Sequence, residues 1–182
     1  MQPTRQSRRR AFTLVEVILS LVILAILMAA LGAAFQGSTN SYAASEGLTE
    51  MINTARQALL RITADIRTAQ GVAPIDGGGS GDIDNHQCSL IRADGTHVTY
   101  HYNTSTAASY NTALDDQTLY LIINSGASAG TYRLCDHVLD MTFERGTDGV
   151  NVRNVRIGMT LTDDTGQPPQ TLHTAAVVRT LP

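Results

Sequence analysis

No serine in this chain sits in a G-x-S-x-G elbow, and no H-E-x-x-H pair occurs, so neither a hydrolase nucleophile nor a zinc-protease helix is written into it. The run Gly77-Gly78-Gly79-Ser80-Gly81 has neither the spacing nor the lysine of a phosphate-binding loop. Basic residues are scarce beyond the first eleven positions. Without Arg5, Arg8, Arg9 and Arg10, nine basic residues face 16 acidic ones, a net charge near −7. Nucleic-acid affinity rests heavily on Lys and Arg, so such a surface argues against direct DNA binding. With no catalytic constellation legible, the residues describe no enzyme.

What is present begins at Arg8. Three arginines end abruptly, and from Phe12 to Phe35 the only charged residue is Glu16. At ~1.5 Å per residue, a helix over 12–35 would be roughly 36 Å long, enough to cross a bilayer core of about 30 Å. The preceding arginines predict a cytoplasmic amino end and a single pass, with the rest of the chain outside the inner membrane. Glu16 is the anomaly, since a carboxylate at membrane depth costs roughly 2.5–3.5 kcal/mol and calls for a partner. It lies four residues, one helical turn, after Phe12. A cut between Ala11 and Phe12 would expose an α-amine on that same face, largely cationic at neutral pH.

Ala11-Phe12-Thr13-Leu14-Val15-Glu16 resembles the prepilin cleavage and methylation motif of type IV pilins and type II secretion pseudopilins. The resemblance implies cleavage after Ala11 by a prepilin peptidase, N-methylation of Phe12, and a role for Glu16 as the carboxylate that registers a subunit against a neighbour's N-terminus. It implies other pilin or pseudopilin subunits as partners. Two positions depart from the pattern: Ala11 replaces the usual Gly, and Ala33 stands where many pilins carry a helix-bending proline. The rival readings are a secretory signal with Gly32, Ala33 and Ala34 near its cleavage site, and a bitopic anchor bearing an exported binding or enzymatic domain. A signal's apolar core normally runs 7–15 residues, shorter than this one, and a plain anchor leaves Glu16 unexplained. No cysteine follows the apolar run closely enough for a lipid anchor.

The chain therefore divides into a basic leader (1–11), a transmembrane and assembly helix (12–35), an amphipathic continuation (36–71) and an exported β-rich domain (72–182). The polar stretch after Phe35 is where the helix is expected to bend or fray. Leu48, Ile52, Ala55, Leu59, Ile62, Ile66 and Ala69 then recur by steps of four and three, one helical face, which predicts packing on the domain's own sheet ahead of a coiled coil. Gly71 and Pro74 end the helix. Between Asp76 and Asn85 a glycine-rich loop carries three carboxylates; calcium is the ligand to consider, although the spacing is not that of an EF-hand. Asp82, Asp84, His86 and Cys88 alternate in a way that zinc could in principle use.

The remainder reads as short strands. A hairpin turns at Asp94-Gly95, and Val98, Tyr100 and Tyr102 alternate with His97, Thr99 and His101, which predicts both histidines on a polar face. Residues 103–117 read as a loop. Strands are expected at 119–123, 131–135, 138–143 and 150–162, then a turn at Asp163-Asp164-Thr165-Gly166 and a closing strand over 172–179. Cys88 and Cys135 could form one disulfide, stabilising by roughly 3–4 kcal/mol, or remain two separately buried thiols. The strand rhythm is similar to the C-terminal sheet of minor pilins and J-type minor pseudopilins. The expected class is α+β: a long N-terminal helix, half membrane and half amphipathic, packed on a C-terminal antiparallel sheet, with no cofactor required.

Overall fold

The computed structural model describes residues 13–148, 151–162 and 168–179. The chain divides into two units, residues 1–45 and 46–182, and one helix, α1 (Leu14–Thr68), contributes to both. In the first unit every described side chain from Thr13 to Thr39 is exposed, the apolar ones included. The Thr39 hydroxyl donates to the Phe35 carbonyl at 2.5 Å, and α1 continues without a break through residues 36–47, so the expected fraying is absent there.

In the second unit the predicted stripe is the buried face of α1. Ala55, Leu59, Ile62, Ile66 and Ala69 are almost fully buried, Leu48 and Ile52 half-buried, and Ala58 and Thr63 complete the face. It packs on the domain's own strands, as the periodicity predicts. These make two antiparallel meanders rather than one sheet. The first runs β1 (Gly71–Val72), β2 (Gln87–Ile91), β3 (His97–Asn103), β4 (Thr118–Ile123) and β5 (Gly130–Cys135), in that spatial order. The second runs β6 (Val138–Asp148), β7 (Asn151–Leu161) and β8 (Gln170–Val177). The expected turn at 163–166 lies outside the described residues.

One core joins α1 to both sheets, with Tyr100, Tyr102, Phe143, Met141 and Ile157 at its centre. Polar staples fix the layers. Asp65 on α1 accepts from the Tyr100 hydroxyl at 2.6 Å and from Arg92 at 2.5 Å. The Tyr102 hydroxyl reaches the Val138 and Leu139 carbonyls, both at 2.9 Å, and so ties β3 to β6. The hairpin turn forms as expected, with Gly95 at φ 80°. Two single-residue left-handed positions, Gln117 (φ 53°) and His137 (φ 56°), mark where the chain enters β4 and β6. Their carbonyls accept from Val138 and Thr162 respectively, so each strained residue is held by a bond between strands.

Candidate functional site

Glu16, the expected assembly carboxylate, sits in the first turn of α1. Thr13 precedes the first helical residue, and its Oγ1 accepts the Glu16 N–H at 3.4 Å while its carbonyl accepts the same N–H at 3.1 Å. Thr-x-x-Glu at a helix start is the arrangement of a capping box, in which Glu16 occupies the third helical position. That signal was readable in Thr13-Leu14-Val15-Glu16 and adds a local reason for the carboxylate: a negative charge in the first turn complements the helix dipole. Among the described residues no ion pair involves Glu16. Ala11 and Phe12, the expected cleavage and methylation positions, lie outside the described residues. Around Glu16 the apolar side chains from Leu14 to Phe35 are 47–76 % exposed. α1 is long and apolar enough to cross a membrane.

The glycine-rich loop is organised by its three carboxylates, each directed at a different partner. Asp76 accepts the backbone N–H groups of Gly78, Gly79, Ser80 and Gly81 at 2.6–3.0 Å, which holds its carboxyl below the ordinary carboxylate range. Gly81 has no room for a side chain, because a Cβ there would lie 2.2 Å from the Pro74 carbonyl oxygen. Asp82 is buried and pairs with Arg145 of β6, whose guanidinium also donates to the Ala73 carbonyl at 2.8 Å and the Gln87 carbonyl at 2.7 Å. Asp84 accepts from the His86 N–H and from both the N–H and hydroxyl of Ser109, all at 2.9 Å. Burial pushes the Asp84 carboxyl up, but these donors outweigh it and its pKa lies below the ordinary value. The calcium and zinc candidates are thus spread over three local tasks. Among the described residues no three His, Cys, Asp or Glu side chains converge on one point.

Two expectations need correction. Cys88 and Cys135 are free, and both are buried. They lie on β2 and β5, with β3 and β4 between them, so strand spacing alone puts them about 14 Å apart, beyond the ~7 Å reach of a bridge. Burial pushes the Cys88 thiol up to about 12 and Cys135 to about 11, so neither is a thiolate at neutral pH. The second correction concerns β3. His97 is exposed as expected, but His101 is only 2 % exposed, and Thr99 and Asn103 are buried beside it. Toward its end the polar face of this strand is bonded to the 104–117 loop through Asn103, while Thr99 bonds to Ser89 and Asn124 and His101 to Gln87.

Asn103 organises that contact with the loop. Its Nδ2 lies within 3.0–3.1 Å of the Asn111, Leu114 and Asp115 carbonyls, and its Oδ1 accepts the Asn111 N–H at 2.8 Å. The amide orientation being set, Oδ1 must also accept from His101 Nε2 at 3.2 Å. On the other side Gln87 Oε1 accepts the Ile83 N–H, so Gln87 Nε2 donates to His101 Nδ1 at 3.2 Å. His101 is therefore neutral with its proton on Nε2. Burial holds its pKa below the ordinary 6.5.

Residues 6–32 match the Prokaryotic N-terminal methylation motif. The match covers the junction, Thr13, Glu16 and most of the apolar run. It supports the type IV pilin-like family, a structural rather than enzymatic one, whose members are processed by a prepilin peptidase and assemble with other pilin subunits. The α+β layout, a long helix followed by antiparallel sheets, is consistent with a pilin fold. Neither the curated proteins nor the solved structures yield a match to the chain.

Proposed function

We propose that the chain is a minor subunit of a type IV pilus or a type II secretion pseudopilus, cleaved between Ala11 and Phe12 and N-methylated on Phe12. The observation that carries this is the pairing of the methylation motif with a helix whose apolar side chains the chain itself leaves uncovered, interrupted by one carboxylate in the first turn. A helix apolar on all sides needs lipid or other helices around it. In the membrane Glu16 bears an insertion cost that pairing with a neighbouring subunit's amine removes, and that difference drives incorporation. The second unit then stands on the extracytoplasmic side of the inner membrane and is carried into the filament. Ala33 in place of a helix-bending proline supports a minor rather than a major subunit. The reading requires no cofactor.

Mass spectrometry of the mature amino terminus is the first test, with N-methyl-Phe12 expected. An intact Met1, or an end near Ala34, would replace this reading with that of a bitopic anchor or a secreted domain. The second test is Glu16→Ala, which is expected to be cleaved normally yet to be lost from subunit complexes in a pull-down. Incorporation at the wild-type level would remove Glu16 from the mechanism.

A further inference from the structure

From Leu14 to Phe35 only two side chains carry nitrogen or oxygen, Glu16 and Ser20. Glu16 has a task in the filament reading; Ser20 has none. Four residues apart, the two stand one above the other on a single face of α1, with their Cβ atoms about 5–6 Å apart. Both side chains are exposed.

The direction of the Ser20 hydroxyl fixes what it can bind. Its one hydrogen is directed back at the Glu16 carbonyl, with the Val17 carbonyl 3.3 Å away. What remains on that oxygen is capacity to accept. Glu16, ionised, also offers acceptors and no donor. Within the apolar run the face therefore presents two acceptors one turn apart. A carbonyl or a second carboxylate finds no side-chain donor there, whereas a group carrying two N–H hydrogens finds a place for each.

The amino terminus of an adjoining subunit, once methylated, is such a group. A primary ammonium carries three N–H donors, and one methyl leaves two. Surrounded by hydrocarbon, each N–H without an acceptor is costly. The Glu16 carboxylate accepts the hydrogen aimed along it. The second hydrogen leaves the same nitrogen at a wide angle, away from that carboxylate and toward the next turn.

We propose that Ser20 Oγ accepts this second hydrogen, so that the methylated ammonium of the adjoining subunit is held by Glu16 through one N–H and by Ser20 through the other. The inference rests on the filament reading and adds a positioning residue to it. A carboxylate on a flexible stem can follow an amine over several positions, but the short Ser20 side chain cannot, and so it fixes the axial register. Both helices run parallel and are anchored in the same direction. The neighbour's first mature residue lies between the levels of Glu16 and Ser20, a displacement of roughly 6–12 Å along the axis at ~1.5 Å per residue.

Pull-down of subunit complexes from native membranes tests this, with the mass of the mature amino terminus recorded for every variant of the full chain. Ser20→Ala should be cleaved, carry N-methyl-Phe12, keep the wild-type urea midpoint of the second unit, and be recovered about three- to tenfold less, as the loss of one interhelical hydrogen bond in a membrane implies. Ser20→Thr keeps an oxygen at the same place and should restore recovery. Combining Ser20→Ala with Ala25→Ser retains one hydroxyl in the apolar run but moves it about 180° around the helix from Glu16, and recovery should stay low. Wild-type recovery of Ser20→Ala, failure of Ser20→Thr to restore it, or restoration by Ala25→Ser would each overturn the role of Ser20 while the filament reading stands. Loss of cleavage in Ser20→Ala would overturn it as well, by assigning the hydroxyl to the peptidase. Absence of N-methyl-Phe12 from the wild type, or normal incorporation of Glu16→Ala, would remove the filament reading and this inference with it.

Discussion

One helix serves two purposes in this protein, and its two stretches are best understood against each other. From Leu14 to Phe35 the side chains are apolar on every face, and all are exposed. From Ala55 to Ala69 one stripe of apolar residues is almost wholly buried, with Ile62 and Ile66 at 0 % exposure, while Leu60, off the stripe, is 69 % exposed. Apolar content alone does not separate these roles; its periodicity does. A uniform surface has no inside and must be covered from without, whereas a stripe with a 3.6-residue period defines the face on which its own domain packs.

The contrast can be broken or sharpened by substitution. The largest loss should follow Arg145→Ala, which strands the buried Asp82 carboxylate. We expect the second unit to lose about 3–5 kcal/mol, read from urea denaturation of the detergent-solubilised chain, while membrane retention through the first stretch is unchanged. Ile62→Ala should cost about 2–5 kcal/mol in the same assay. Its counterpart Ile23→Ala, at a side chain 51 % exposed, should leave the midpoint where it was. Equal shifts from the two isoleucines would erase the distinction between the stretches. Tyr100→Phe removes a donor from Asp65 and should cost roughly 1.5–3 kcal/mol, since the bond is made to a charged group.

The smallest effect is a pH slope. His101 is neutral in the fold and its pKa lies below 6.5, so its contribution is fully present above that value. As pH falls below it, the unfolded chain gains a proton that the folded one refuses, and stability is lost until the depressed folded pKa is passed. Protonation also sets a donor on Nδ1 against the Gln87 amide. Urea midpoints measured between about pH 5 and 7 should fall with pH in the wild type and flatten in His101→Gln. An unchanged slope in that variant would place the acid sensitivity elsewhere.

Much of this layout was legible in the residues. The stripe in α1, the Asp94-Gly95 turn and most strands follow from period and turn chemistry, which are local. The errors share a cause. His101 was assigned to a polar face because strand alternation says which side a residue faces and is silent on what lies across from it. Asn103 gathers the carbonyls of a loop up to twelve residues away, and together with Gln87 it encloses His101 on that face. The cysteines were judged by compartment and loop length, but strand order, a property of the whole sheet, keeps them apart. Arg145 gave no local sign of importance, since its partners Ala73, Asp82 and Gln87 lie some 60 to 70 positions earlier.

By itself the sequence determined the apolar span, its single carboxylate, the junction before it and the amphipathic stripe after it, because each depends on neighbours within a few turns of one helix. Tertiary structure alone decided that the strands form two sheets, that the thiols stay free and that His101 is buried. Those outcomes depend on which distant segments come to lie side by side, and no local period encodes that.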